Sequence, residues 1–233
     1  GYLGISMTLW TVVFVSATLL ASVRARLSPA TAVQDRSSLA EFLDEYEVNV
    51  VDGTGQTVLH WAASVGNLDT LEYALEQGAD TERTDLDGRS PLHIAALSGH
   101  AAAVQRLLEV GASADLRDRT GAVPLYRAAL AGSSDAVRAL AQAAPHAVDS
   151  RLTRTQGTAL HAAAYLGHLP VLEALLEAGA SVCVRNKDGE LPIDKYLEED
   201  DDEVARLIEE PRIVGEDDRR SVVDLLKKGS AQC

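Results

Sequence analysis

The sequence predicts an all-α fold in which similar helical units stack side by side as a solenoid. Two observations carry this prediction. Glycine recurs every 33 residues, as Gly55, Gly88 and Gly121. An apolar residue also keeps register at spacings of 33, 33, 35 and 33, and its copies are Leu59, Leu92, Leu125, Leu160 and Ile193. A fixed period of this size is typical of stacked repeats, each of which buries its apolar face only against its neighbours.

The stretch from Asp85 to His100, DLDGRSPLHIAALSGH, shows how one unit is built. Its Asp-Gly pair is a strong turn signal, so a hairpin loop precedes the first helix. Ser90 can cap the free amides at the start of that helix. Pro91 suits the next position because its φ is already helical and it has no amide to leave unpaired. Gly99 suits the tight turn into a second helix.

This pattern resembles the ankyrin repeat, whose fingerprint is Thr-Pro-Leu-His-x-Ala. The corresponding segments are TVLH at 57–60, SPLH at 90–93, VPLY at 123–126, TALH at 158–161 and LPID at 191–194. The resemblance covers residues 38–210 and implies a capping half-repeat at 38–51, which is predicted to begin with Ser38 as the cap of a helix. Five units then follow, at 52–84, 85–117, 118–153, 154–186 and 187–210.

The third unit departs most from the pattern. Tyr126 stands where other units have histidine, and Arg127 replaces a small or apolar residue. An insertion lies near Pro145 and His146. These departures predict an irregularity in the stack and make this unit a candidate docking point.

The motif histidines His60, His93 and His161 suggest two interpretations, a metal site or hydrogen bonding to the neighbouring turn. Packed helices lie about 10 Å apart, so these residues are too far from one another to share a metal at about 2 Å. The sequence therefore predicts hydrogen bonds.

The first 23 residues contain no charged side chain, and apolar residues dominate from Leu3 to Val23. As a helix this stretch reaches roughly 31 Å, which matches a hydrocarbon core of about 30 Å. It predicts a transmembrane helix at 1–23, followed by a polar tether at 24–37. A signal peptide and a helix buried against a partner protein remain alternatives. For a spanning helix, Arg24 and Arg26 favour the cytosol-equivalent side for the repeats.

The fifth unit contains an acidic run at 198–203, EEDDDE. This run is either a solvated end of the stack or a contact for a basic partner. Within the tail at 211–233, residues 217–228 predict a last helix, because acids occupy its first turn and lysines its last turn. Its apolar side either covers the final repeat or meets another protein, and it contains Val222, Val223, Leu225 and Leu226.

Composition and motifs exclude several classes of function. A formal net charge of −14 repels phosphate backbones and disfavours nucleic-acid binding. The sequence has no Gly-rich phosphate loop, no nucleophile elbow and no metal-spaced cysteine set, so it predicts no enzyme, cofactor or metal. Cys183 and Cys233 form no disulfide framework, which favours a reducing compartment.

The resemblance implies a protein-binding surface formed by the loop tips and the exposed side of each first helix. By position in the repeat, its residues are Gln56, Ser64, Leu86, Arg89, Leu97, Arg119, Arg127, Leu130, Tyr165 and Glu190. Several of these are apolar, and a contiguous apolar patch on a surface indicates an interaction site.

Together these features favour a non-catalytic interaction subunit that one helix anchors in a membrane and whose repeats brace neighbouring subunits of a larger complex. The sequence starts with Gly1 and not with methionine. A processed presequence is one interpretation, and it favours an organellar complex, photosynthetic in the thylakoid or respiratory in the mitochondrial inner membrane. The alternative function is a membrane-tethered regulatory adaptor that recruits a soluble client.

Overall fold

The structure is a computed structural model that describes residues 36–45, 47–192, 194 and 226–227. Within these residues the regular structure is helical and no strand occurs, which confirms the predicted all-α class for this part of the chain. The helices are α1 (Arg36–Glu45), α2 (Val58–Val65), α3 (Leu68–Glu76), α4 (Pro91–Leu97), α5 (Ala101–Glu109), α6 (Pro124–Ala131), α7 (Ser134–Ala143), α8 (Ala159–Leu166) and α9 (Leu169–Glu177). A 3₁₀ turn, Pro145–Ala147, follows α7 and occupies the predicted insertion.

The helices form two layers. The first helices of the units, α2, α4, α6 and α8, each pack against the next one along the stack. The second helices, α3, α5, α7 and α9, form the other layer in the same order. Helix α1 packs against α3, so the half-repeat covers the first end of the stack.

Alanine and leucine build the core between the layers. The alanine pairs at 62–63, 95–96 and 128–129 are fully buried. Their small side chains let neighbouring helices approach closely, since the distance between helix axes depends on the side chains at the contact. The register leucines Leu59, Leu92, Leu125 and Leu160 are at most 1% exposed. Burying a leucine contributes roughly 2 kcal/mol to the free energy of unfolding, so the repeated apolar position stabilises each of these units.

The turn between the two helices of the first full unit leaves no room for a side chain. Gly66, which ends α2, has a φ of 74°, in the left-handed region. A Cβ atom placed there would lie 2.6 Å from the ring of His100 in the next unit. The predicted role of glycine at this turn is therefore confirmed, and the contact between units is a second reason for it.

The hairpin loops pair with one another along the stack. Within one hairpin, the Asp85 amide donates to the Arg89 carbonyl at 2.9 Å, and the Gly88 amide donates to the Asp85 carbonyl at 3.0 Å. Between hairpins, four amides donate to the preceding hairpin at 2.9–3.0 Å. These bonds are Leu86 to Thr54, Arg119 to Asp87, Thr153 to Thr120, and Lys187 to Thr155. The projecting loops are therefore a continuous hydrogen-bonded edge of the molecule.

The motif histidines connect each unit to the next one, as predicted. The His60 Nδ1 atom accepts from the Thr57 amide at 3.1 Å, and its Nε2 atom lies 3.0 Å from the Arg89 carbonyl. His93 repeats this arrangement with Ser90 and Ala122. Because a carbonyl can only accept, the proton of each neutral ring is on Nε2. The His161 ring makes the corresponding contacts with Thr158 and with the Glu190 carbonyl.

The irregularity predicted in the stack lies in the third unit and in the hairpin that follows it. Val123 and Tyr126 replace the capping residue and the histidine, so this unit lacks the histidine connection. The following hairpin is longer, because the Leu152 amide donates to the carbonyl of Gly157, five residues later. In that hairpin Gln156 takes a φ of 56°, a conformation that glycine adopts in the other hairpins.

Some sequence predictions fall at or beyond the edge of the described residues. Helix α1 already begins at Arg36, so the prediction that Ser38 caps it is wrong, and Ser38 lies inside the helix. The predicted membrane segment at 1–23 and most of the predicted tether at 24–37 lie outside the described residues. The last two tether residues, 36 and 37, belong to α1, so the tether prediction is wrong for them. Among the residues that are described, no helix has the length and apolar character needed to cross a bilayer.

The last helix and the cysteines are described only in part. Leu226 is 1% exposed and belongs to the buried apolar cluster. This burial supports the interpretation in which the last helix packs against the repeats.

Cys183 is disulfide-bonded, so the expectation of reduced cysteines is wrong at this residue. The other cysteine of the sequence, Cys233, lies outside the described residues.

Replacing Gln156 with glycine should stabilise the stack. An L-residue in the left-handed region costs roughly 1–2 kcal/mol, and the exposed hydrogen bond from the Gln156 side chain to the Thr153 carbonyl offsets part of that cost. We expect the free energy of unfolding of Gln156→Gly to rise by about 0.5–1 kcal/mol in urea titrations. Gln142→Gly, the same change at an exposed position of α7, should lower it by about 1 kcal/mol. A loss of stability at both positions would contradict the strain at Gln156.

Acid should weaken the stack through the buried histidines. Burial lowers the pKa of His60 and of His93 in the folded protein, whereas an unfolded histidine titrates near 6.5. The unfolded chain therefore binds more protons below about pH 6.5, and the free energy of unfolding should fall as the pH drops through this range. We expect this fall between pH 7.5 and 5.0 in urea titrations. The double variant His60→Gln/His93→Gln should be less stable at pH 7.5 but should show a clearly smaller change over the same range. An equal change in both proteins would assign the acid sensitivity to other groups.

Candidate protein-interaction surface

The first helices present a row of equivalent positions across the stack. Ser64, Leu97, Leu130 and Tyr165 occupy the same place in α2, α4, α6 and α8, at spacings of 33, 33 and 35. Because consecutive first helices pack against one another, these positions follow one another along one side of the molecule. Ser64 is exposed, Leu97 and Leu130 are half-buried, and Tyr165 is 42% exposed. We call these four residues the first-helix row, and its middle and far end are apolar.

Two further predicted residues lie at the hairpin tips. Leu86 and Arg119 hold equivalent positions in consecutive hairpins, and the amide of each donates to the preceding hairpin. The backbone is therefore fixed while the side chains are free to project. Leu86 is 57% exposed, and Arg119 is exposed as well. An exposed leucine on a rigid tip can enter an apolar pocket of another protein.

Other predicted residues contribute to the fold through their backbones. The Gln56 amide donates to the Asp52 carboxylate at 2.9 Å. The carbonyls of Arg89 and Glu190 are the hydrogen-bond partners of the motif histidines. The Arg89 guanidinium also pairs with Asp85 and Asp87, at 2.8 Å each. A binding role for the side chains of Gln56, Arg89 and Glu190 stays a prediction, and the Arg89 guanidinium is already held by two carboxylates.

Arg127, in the irregular third unit, is the partner of a buried carboxylate. Its Nε atom donates to the Asp118 Oδ2 atom at 2.9 Å, and its Nη2 atom contacts the same oxygen and also Thr120 Oγ1. Burial would raise the pKa of Asp118, but the hydrogen bonds from Thr120 and Arg127 outweigh this effect and lower it. Burial raises the pKa of the neighbouring Tyr126. Only 17% of the Arg127 side chain is exposed, so most of it is unavailable to a binding partner.

This surface offers groups that suit non-covalent contact with another protein. Within the described part of the chain, no three histidine, cysteine or acidic side chains gather closely enough to hold a metal ion. The buried motif histidines are used in hydrogen bonds between units. The first-helix row and the hairpin tips offer apolar area, hydroxyl groups and charge, which are the elements of protein recognition.

A set of exposed cations on the third to fifth hairpins is absent from the surface predicted from the sequence. Arg117, Arg151 and Arg185 recur every 34 residues, and each directly precedes the first paired residue of its hairpin. All three are exposed. Their spacing was a usable signal, but the net charge of −14 conceals this local surplus of positive charge.

Comparison with known proteins agrees with the geometry. A family profile described as "Ankyrin repeats (3 copies)" matches residues 30–118 and 104–186. A 52-residue stretch is 40% identical to the E3 ubiquitin-protein ligase Ufd4 of Drosophila melanogaster. That match covers 22% of this chain but only 2% of the ligase, so the chain spans a very small part of this relative.

The profile therefore spans every unit whose helices are described, from the half-repeat to the fourth unit. Stacked two-helix units, histidine connections and hairpin pairing are what these residues form. The chain belongs to the ankyrin-repeat family, whose domains mediate interactions between proteins.

Proposed function

We propose that this protein is a non-catalytic interaction subunit that holds a partner protein against its first-helix row and hairpin tips. The observation that carries the proposal is the row itself. Leu97 and Leu130 lie side by side on adjoining helices and are only half-buried, and exposed Tyr165 continues the row. A partner that covers them would bury apolar area that the stack alone leaves in water.

The rigidity of the scaffold supports this role. The units are joined by histidine hydrogen bonds and by backbone bonds between hairpins. A surface that is already ordered loses little conformational entropy when a partner binds, so more of the contact energy appears as affinity.

We also propose that the chain is anchored in a membrane by residues 1–23. The support is in the sequence, since this segment is free of charge and long enough to cross a bilayer as a helix. The repeats would then face the cytosol-equivalent side and brace subunits of a membrane complex. The organellar setting stays a prediction from the sequence alone.

A second candidate function is a membrane-tethered adaptor that recruits one soluble client. The acidic run at 198–203 favours it, because a dense cluster of carboxylates in the sequence of the last predicted unit suits a transient, salt-sensitive contact. A stable subunit should remain with its complex at high salt and at fixed stoichiometry, whereas a client held by charge should be released.

Charged residues in the first-helix row should abolish capture of the partner. Leu97→Asp/Leu130→Asp would place two carboxylates at the contact, and an unpaired charge that becomes desolvated costs well over the 1.4 kcal/mol that corresponds to a tenfold loss of affinity. We expect at least tenfold less partner to be crosslinked to, and co-purified with, the full chain. Leu68→Asp/Val110→Asp is the matched control, since these residues are 36% and 40% exposed on the second-helix side. Circular dichroism should show both variants folded, and equal losses in the two variants would exclude the row as the binding surface.

Alkaline carbonate should leave the full chain in the membrane fraction. A chain that lacks residues 1–26 should be released and should keep the helical circular dichroism of the repeats. Val13→Arg/Val15→Arg is a length-matched control, because a charge at the centre of a spanning helix costs roughly 2.5–3.5 kcal/mol and should impair insertion. Release of the unaltered full chain by carbonate would contradict membrane anchoring.

A further inference from the structure

Three consecutive hairpins each carry two exposed cations. We call these six residues the basic ridge, and they are Arg117, Arg119, Arg151, Arg154, Arg185 and Lys187. The two earlier hairpins differ, since the positions equivalent to Arg117 and Arg119 are Thr84 and Leu86 in the second unit. The ridge is therefore confined to the last three hairpins of the stack.

Acidic groups within the same hairpins neutralise little of this charge. Residues 117–121, 150–157 and 185–190 hold the six cations and three acids. Of these acids, Asp118 is buried and paired with Arg127, which is not part of the ridge. The Glu190 carboxylate accepts a hydrogen bond from Asn186, a neutral amide that does not cancel its charge. Asp188 is exposed. A local surplus of positive charge thus exists within a chain whose net charge is −14.

Neutral oxygens hold part of the ridge in place. Arg117 donates to the carbonyls of Gly121 and Arg151, at 2.9 and 3.1 Å. Arg185 donates to the Gly189 carbonyl at 2.6 Å. Bonds to carbonyls fix a guanidinium without cancelling its charge. The ion pairs found among the described residues do not involve Arg119, Arg154 or Lys187, and these three side chains project from hairpins whose backbones are bonded together.

The second helices have the opposite charge. Their exposed acids are Asp69, Glu72, Glu76, Glu109, Asp135, Glu173 and Glu177. The arginines among them, Arg106 and Arg138, are each paired with two carboxylates at 3.1–3.7 Å. Positive charge is therefore concentrated on the hairpin edge and negative charge on the second helices. Since the Debye length is about 8 Å at physiological salt, a ligand on the hairpin edge mainly experiences the ridge.

We propose that the basic ridge binds an extended acidic segment of a partner protein. The hairpins pair edge to edge and follow the stacked helices, so consecutive hairpins lie roughly 10 Å apart along the stack. Three residues of an extended chain span the same distance, at about 3.3 Å each. A segment with at least one carboxylate in every three residues would therefore meet a pair of cations on each of the three hairpins.

The surroundings of the ridge favour a single extended chain over a broad anionic surface. Asp115 and Asp149 precede Arg117 and Arg151 by two residues each. A bilayer or a nucleic-acid duplex is broad and would also come near other acidic groups of a chain whose net charge is −14. An extended peptide is narrow enough to follow the cations alone. This proposal rests on the proposed function, because it names the chemistry of one partner segment on the same interaction surface.

Fluorescence anisotropy with a labelled peptide tests the ridge. The probe is a twelve-residue peptide with glutamate at every third position among serine and glycine, and the reference peptide carries glutamine instead. At about 0.15 M ionic strength, the full chain should bind the glutamate peptide and not the glutamine peptide. Arg119→Gln/Arg154→Gln/Lys187→Gln should weaken binding about tenfold, since an exposed charge pair contributes roughly two- to threefold.

A matched variant separates local charge from net charge. Gln77→Glu/Gln105→Glu/Gln142→Glu changes the net charge by the same amount, through three carboxylates at exposed positions on the second-helix side, and should change binding less than twofold. Equal losses in the two triple variants, or equal binding of both peptides, would overturn the proposal. So would binding of phosphatidylserine vesicles or duplex DNA in preference to the glutamate peptide.

The first-helix row provides the independent comparison. Leu97→Asp/Leu130→Asp should leave binding of the glutamate peptide within about threefold while it abolishes capture of the partner. A chain that captures its partner through the row but fails to bind the peptide contradicts the ridge alone. A chain that binds the peptide but loses no partner when the row is altered contradicts the proposed function alone.

Discussion

The structure depends on hydrogen bonds that join one thin unit to the next. A single unit has too little apolar area to fold alone, so each one needs a specific contact with its neighbour. His60 and His93 supply that contact, since each ring accepts from the cap of its own helix and donates to a carbonyl of the following hairpin. The same carbonyl also closes that hairpin, at Arg89 and at Ala122. Loss of the ring would leave buried groups unpaired on both sides, at a cost of about 1–3 kcal/mol each.

The third unit shows how the stack continues without this histidine. At its junction with the fourth unit, the Thr153 amide and hydroxyl both bond to the Thr120 carbonyl, and Arg117 reaches the Arg151 carbonyl and the Ser150 hydroxyl. At this junction, side chains on the hairpins thus join two units, whereas a buried histidine joins the units at the other junctions. Arg117 both supports the junction and contributes charge to the surface, which explains why cations are compatible with the hairpins of this region.

The sequence specifies the local part of this structure well. Helices, the turn at Gly66 and the hydrogen bonds of the histidines follow from residue types that recur at fixed positions of the repeat, even where the contact is with the next unit. What it does not specify depends on contacts that do not recur from unit to unit or on a change of register. The insertion in the third unit shifts the period from 33 to 35 and hides the conformation of Gln156, whereas the net charge of −14 conceals the ridge. The pairing of Arg127 with Asp118, nine residues apart, was equally invisible, because it requires the hairpin to fold back over the first helix.

Net charge and local charge answer different questions about partners. A total of −14 governs the long-range field, which sets how often an anionic molecule approaches. Once a segment lies on the hairpins, screening removes most of the influence of the outer helices, and the nearest cations decide how long it stays. The excess of acidic residues disfavours binding of a polyanion that covers a wide area of the surface. It does not argue against a short acidic segment, because in the proposed complex the first-helix row would bring the segment near and the ridge would need only to retain it.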